Sequence, residues 1–237
     1  MTKNRNRFTG TFREKAQDYF IQVSLIILSL FVAVGVDRCN TANRQEKVLQ
    51  EYYEAIAQDL VKELSLNEEN LYDCQQDMAG IKKAQQSFRY NQSDSLQNGL
   101  RAIAGVAIRG VFRTFSPTTF DVMSSTGDVL LIKDLELRDD LYAIFSFRNN
   151  IIQQDLIGFN KQLDQTLEKL GPFIDYACLT QSQTLVECIL DREGLVQDPH
   201  NELMTLQLKT GRRAYHLEIA IRKDKGMIAV LDSILQQ

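Results

Sequence analysis

The chain has 237 residues, 44% of them apolar and 24% charged, which is ordinary for a protein with a packed core. Three prolines and 12 glycines are too few for a long disordered or fibrous segment. The formal charge of −4 is unevenly spread: residues 1–36 hold five basic and two acidic groups, leaving 22 basic and 29 acidic beyond them, a balance that argues against general nucleic-acid binding.

From Tyr19 to Val36 the sequence reads YFIQVSLIILSLFVAVGV, 18 residues without a formal charge. As a helix this run spans roughly 27 Å, close to the hydrocarbon thickness of a bilayer. Asp37 and Arg38 end it sharply. The spacing predicts a transmembrane helix over 19–36, behind a short basic tail over 1–18. Two rivals fit less well. A core helix rarely lacks a polar face for so long. A cleaved signal peptide, for which Ala33-Val34-Gly35 would be the processing site, usually has a shorter apolar region. A lipid anchor on Cys39 is disfavoured by Asp37 and Arg38, where small neutral residues belong. Lys3, Arg5, Arg7, Arg13 and Lys15 precede the span, against Arg38, Arg44 and Lys47 after it. That bias puts the N-terminus in the cytoplasm and residues 37–237 outside it.

Beyond the span, Leu49, Tyr53, Ile56, Leu60, Leu64, Asn67, Leu71, Cys74, Met78 and Ile81 recur at steps of three or four. That spacing predicts an amphipathic helix continuous with the membrane segment, about 57 Å long over residues 40–78 alone. The polar stretch over 85–95 reads as a loop. A second helix follows, with Leu96, Leu100, Ile103, Ala107, Val111 and Phe115 on one side and Gly99, Gly105 and Gly110 within it for close approach to a neighbour. Ser116-Pro117 breaks the chain, a sub-boundary near 116–118. Thr118 or Thr119 caps a short helix through Ser125, closed by Gly127. Asp134 caps a long helix with a core stripe from Leu137 through Leu141, Ile144, Ile152, Leu156, Phe159, Leu163 and Leu167 to Leu170, stopped by Gly171-Pro172. Short helices fit 172–179 and 184–190. Asp198-Pro199 starts the last, through Leu203, Leu206, Leu217, Ile221, Ile228, Leu231 and Leu235. No stretch alternates with period two long enough for a strand. The expected fold is all-α, an N-terminal transmembrane helix continuing into a long amphipathic helix and packed with further long helices as a helical bundle.

The text TFDVMSSTGDVLLIKDLELRDDL over 119–141 completes a layout of basic tail, one membrane helix and polar helical segment. In it Ser124, Ser125, Gly127, Leu131, Ile132, Asp134, Leu137 and Leu141 form a short helix, a turn and a capped second helix. With its closing NELMTLQL…MIAVLDSIL helix, the chain resembles a family of uncharacterised bacterial single-pass membrane proteins known only as a domain of unknown function. The likeness covers most of the chain in layout and about 25 residues in specific motif. It departs at the membrane segment, which lacks the family's Asn/Trp-rich exit. What it implies is topology, a helical extracytoplasmic domain and the inner membrane of a bacterium. It brings no catalytic residue.

Signals for chemistry are sparse. His200 and His216 are sixteen residues apart, with no H-E-x-x-H, C-x-x-C or G-x-S-x-G in the chain. The acidic pairs Asp139-Asp140 and Glu68-Glu69 point apart on a helix. No catalytic residue, cofactor or metal site is expected, and the chain reads as no enzyme. The helix-turn motif Ser124, Ser125, Gly127 and Asp134 lacks phosphate-loop spacing, and a joint with Gly127 at positive φ explains it. Of the four cysteines, Cys39 and Cys74 lie ~52 Å apart on one helix and cannot bridge. Cys178 and Cys188 flank a turn and can, in a compartment where disulfides persist.

Three functions fit: a structural or interaction subunit, an exported ligand sensor signalling through a partner, and a membrane-anchored enzyme, in falling order. The expected partners are the lipid bilayer and either another membrane subunit or a second copy. Nucleic acid is not among them, and a small-molecule ligand has no motif behind it. Leu49, Tyr53, Ile56 and Leu60, nearest the membrane, are the expected face toward that other chain.

Overall fold

In the computed structural model the described residues are 8–109, 118–179 and 184–236, with side chains described for Leu25, Leu28, Ser29 and from Arg44 onward. Helix α1 spans Phe8–Ser87, α2 Ser93–Arg109, α3 Thr119–Thr126, α4 Leu135–Phe147 and α5 Gln153–Leu170. The shorter α6, Tyr176–Leu179, and α7, Arg192–Gln197, precede α8, His200–Leu235. Among the described residues there is no strand, only an isolated antiparallel bridge between Ile174 and Ile189. The chain is all-α and packed as a helical bundle.

Two compact units divide the chain, Met1–Glu51 and Tyr52–Gln237. In the first, residues 19–36 are helical in backbone as part of α1, and most of their side chains lie outside the described residues. Leu25 and Leu28, which are described, stand 60% and 61% exposed. Among the described residues no helix is long and apolar enough to cross a membrane.

The second unit is built on seams of strict spacing. Along α1 one buried stripe runs through Tyr53, Ile56, Leu60, Glu63, Asn67, Cys74, Asp77, Ile81 and Ala84 to Phe88 just past its end, with Asn70 half-buried in the one gap. The steps alternate three and four, the 3.5-residue repeat that keeps one stripe facing a neighbouring helix. Helix α8 repeats the pattern through Leu203, Leu206, Thr210, Arg213, Leu217, Ala220, Asp224, Met227 and Leu231. At one end the core is apolar, where Ile81 of α1 and Phe88 just beyond it join Leu96 and Leu100 of α2, Phe159 and Leu163 of α5, and Leu203 and Leu206 of α8. Nearer the middle Cys74, Ile152, Ala214, Leu217 and Ala220 cluster, and buried polar residues interrupt the seams.

The α4 and α5 helices form one run joined by a π turn at Arg148–Ile152. The loop expected over 85–95 narrows to the residues between Ser87 and Ser93. The stretches 172–179 and 184–190 are less helical than expected: 3₁₀ turns at Gly171–Phe173 and Leu185–Cys188 flank the four-residue α6. Their backbones are drawn together, with Asp175 N–H donating to Cys188 O at 2.8 Å and Leu190 N–H to Phe173 O at 2.9 Å. Helix α7, capped by the Asp191 side chain, has no counterpart in the expected elements. The last helix begins one residue later than expected: Pro199, not Asp198, is its cap. The end of the second helix, with Gly110, Val111, Phe115 and the Ser116-Pro117 break, lies outside the described residues.

Two of the glycines expected to allow close approach separate here. A Cβ on Gly99 would lie 2.5 Å from the buried Phe88 ring, whereas on Gly105 it would meet only the Arg109 side chain, at 3.5 Å. Gly99→Ala is therefore expected to destabilise the Tyr52–Gln237 unit by about 1–3 kcal/mol through overpacking, while Gly105→Ala stabilises it by up to ~1 kcal/mol through helix propensity. Denaturant unfolding of the two variants checks the opposite signs.

Candidate functional site

The polar interruptions of the seams converge. Glu63 and Asn67 sit one turn apart on the buried side of α1. Across from them the π turn brings Arg148 inward, its side chain 5% exposed. The Gln153 N–H donates to Arg148 O, the wider ring that adds a residue to the turn. Arg148 Nη1 reaches Glu63 Oε2 at 3.4 Å and Nη2 reaches Asp121 Oδ2 at 2.5 Å, while Nε donates to Asn149 Oδ1 at 3.0 Å. Its guanidinium also lies 5.1 Å from the centre of the Phe145 ring. From α8, Asp224 accepts from Asn67 Nδ2 at 3.0 Å. Asn67 Oδ1, also buried, has no partner.

The second member of this band is Asp77 on α1, 2% exposed, which accepts from Arg109 Nε of α2 at 2.8 Å. A third joins α5 to α8: buried Asp155 accepts from His216 Nδ1 and takes Arg212 Nη2 at 2.8 Å. The Phe147 ring meets His216 edge-on. Arg213, 9% exposed, covers the Phe159 ring at 5.3 Å.

Burial raises three of the carboxyls, Glu63, Asp77 and Asp224. Glu63 is pushed up to about 7, by burial first and then by the charge of Asp224, against the pull of Arg148. Asp224 is pushed up to about 6 by burial, with Asn67 and Arg148 holding it down in part. Asp77 is raised by burial despite Arg109. Asp121 moves the other way: burial pushes it up, but hydrogen bonds from Thr118 and Arg148 hold it below the ordinary carboxylate value. The Cys74 thiol is pushed up to about 11 by burial, which leaves it a small apolar filler.

A separate feature is an apolar hollow of ≈ 560 Å³ between α2, the end of α5 and α6, lined by residues such as Ile103, Ala107, Leu167, Leu170, Ile174 and Leu179. Among its described lining residues the one hydroxyl, on Tyr176, donates to Leu167 O, and no polar groups converge.

The residues singled out in the sequence fall in three places. Tyr53, Ile56 and Leu60 are 7%, 0% and 0% exposed within this chain, so the face expected to meet another chain is internal core; Leu49 is half-buried. The correction has a physical cause: α3 and the turn after it pack back on this stretch. Thr119 donates through N–H and Oγ1 to Asp59 Oδ2, each at 2.8 Å, and Tyr52 donates to Asp128 Oδ2 at 2.8 Å. Ser124, Ser125 and Gly127 end α3, with Gly127 at φ 85° and Ser125 Oγ turned to Val122 O. Asp134 caps α4, accepting from the N–H groups of Glu136 and Leu137. Cys178 and Cys188 are joined, their Cα atoms 5.4 Å apart.

Sequence reasoning placed Asn67 in the seam but missed the charged members of the band: it chose the apolar neighbour in three places, Leu64 for Glu63, Met78 for Asp77 and Leu156 for Asp155, and those three apolar residues are half-buried. The missed signal was the spacing, which stays in strict three-four steps only if the polar residues are counted. Comparison with protein-family models, with curated proteins and with solved structures found no match.

Arg148→Met removes the one guanidinium on Glu63 and Asp121 and is expected to cost about 3–5 kcal/mol at pH 8, as for other broken buried pairs. The cost shrinks near pH 5, where Glu63 is neutral in the folded domain. Urea unfolding at the two pH values measures the difference, and an equal cost at both would show that Glu63 is not the group left unpaired.

Proposed function

We propose that this is a single-pass membrane protein acting as a structural or interaction subunit: a helical domain held on the extracytoplasmic side of a bacterial plasma membrane by the apolar run of α1. The observation that carries the reading is that run itself, free of formal charge over 18 residues, in which Leu25 and Leu28 stand uncovered. Open leucines in water are unfavourable, and a bilayer is the medium that covers them. The basic excess before the run sets the orientation. The Cys178–Cys188 bond supports the same side, since such bonds persist outside the reducing cytosol.

An interaction role follows from where the ionisable groups sit. In the Tyr52–Gln237 unit the most deeply placed ones tie helix to helix, Glu63 to Arg148, Asp77 to Arg109 and Asp155 to Arg212. Such ties serve a fixed shape. The sensor reading has one observation of its own, the apolar hollow beside α2, which would take an apolar molecule.

Topology is the direct test. A reporter active only outside the cytoplasm, fused after Gln237, is expected to be active, and membranes are expected to retain the chain through alkaline washing. Activity restricted to the cytoplasm overturns the orientation, and a chain that washes off overturns the anchor. Mass mapping of the non-reduced protein should join the peptides of Cys178 and Cys188; both thiols free in the unreduced, denatured chain would remove the support from the disulfide.

A further inference from the structure

Among the described residues, the buried band near Glu63 holds more negative than positive charge: Glu63, Asp121 and Asp224 meet there with one guanidinium, that of Arg148. Glu63 and Asp224 are 6% and 1% exposed, so water does not make up the deficit. Asp121 takes the shorter contact to Arg148 together with the N–H and hydroxyl of Thr118. Glu63 keeps only the longer one, and Asp224 accepts from an uncharged amide, that of Asn67. Other charges nearby are engaged outward: Lys225 pairs with Glu68 at 2.7 Å, Lys62 with Asp59, and Lys223 lies over the Phe147 ring.

A second observation is independent of the charge count. Asn67 is fully buried in the same band, with its Nδ2 on Asp224 and its Oδ1 without a donor. A buried acceptor left unmade is costly, and what it requires is one more hydrogen on a neighbouring group. A carboxylic acid in the band would supply that hydrogen and remove one negative charge in a single step.

We propose that Glu63 and Asp224 form a proton-binding site at the junction of α1, the π turn and α8, which holds a proton in the folded domain and loosens that junction when it is lost. The occupant is a proton rather than a metal cation because both groups already face hydrogen-bond donors that a metal ion would have to displace, Arg148 Nη1 on Glu63 and Asn67 Nδ2 on Asp224. The raised titration of both groups agrees with this geometry. Both fold with values above their ordinary 4.5 and 3.8, so their contribution to stability is complete below those values and is lost as pH rises through about 6 and 7. Asp121, held low, acts in the opposite sense, at the acid end. The domain is thus tightest in mild acid and loosens toward alkaline pH, which makes it responsive to the pH of the medium around it. The inference concerns the Tyr52–Gln237 unit and stands whether or not the apolar run is an anchor.

The test uses the full chain in mild detergent with its disulfide intact. Residue-selective carbon-13 labelling follows the Glu63 and Asp224 carboxyl resonances from acid to alkaline pH in the unmodified protein. At least one is expected to titrate two or more units above an ordinary carboxylate, and amide hydrogen exchange around Asn67 and Asp224 should quicken at least about tenfold more than pH chemistry alone explains. Glu63→Gln and Asp224→Asn should each flatten that extra dependence. Titration of both carboxyls at ordinary values overturns the proposal without any variant. So does a sodium-dependent rise of the melting temperature at alkaline pH that both variants abolish, since the occupant would then be a cation.

Discussion

Everything in the Tyr52–Gln237 unit has to answer one constraint: the 3.5-residue seam of α1 carries Glu63, Asn67 and Asp77 into the core. Each is a group that water solvates well and protein interior does not, so burial is tolerated only where another helix brings a partner. Those partners come from three directions. Arg148 enters from the π turn between α4 and α5, Asp224 from α8 and Arg109 from α2. A purely apolar seam can slide by a heptad with little penalty, because one leucine fits much like the next. Glu63 opposite Arg148 does not slide. The polar band therefore sets register, and apolar burial such as that around Phe88, Phe159 and Leu203 holds the helices together.

The run from Leu135 to Leu170 keeps Ile144, Arg148, Ile152 and Asp155 all inward, with the π turn at Arg148–Ile152 within it. From there Arg148 reaches Glu63 and Asp121, while Asp155 reaches Arg212 and His216 of α8. Between α5 and α7 the chain holds little helix, and two 3₁₀ turns with a short backbone contact take its place, stapled by Cys178–Cys188. A covalent link across such a short loop limits the unfolded chain where packing is thinnest.

Much of the fold was legible in the sequence for local reasons. Gly127 at positive φ, Asp134 as a cap and the Gly171-Pro172 stop are set by the few residues around them, and those elements could be read directly. The apolar stripe of α1 was also plain. The polar half of the seams was not, because a carboxylate reads as surface unless its cation is known, and Arg148 is 85 residues from Glu63 in sequence. The packing of α3 on Tyr52 and Asp59 is equally non-local, and it turned a supposed outward face into core. Helix α7 was missed because six residues are too few for a periodic signal.

The central claim is that the fold rests on a coupled polar band and not on apolar seams alone. A double-mutant cycle on Glu63 and Arg148, with Glu63→Gln and Arg148→Met singly and together at pH 8, measures that coupling directly. The account requires an interaction of about 1–3 kcal/mol, with the double variant more stable than the two single losses sum to. Losses that simply add would contradict it, because the two side chains would then be buried side by side without depending on each other.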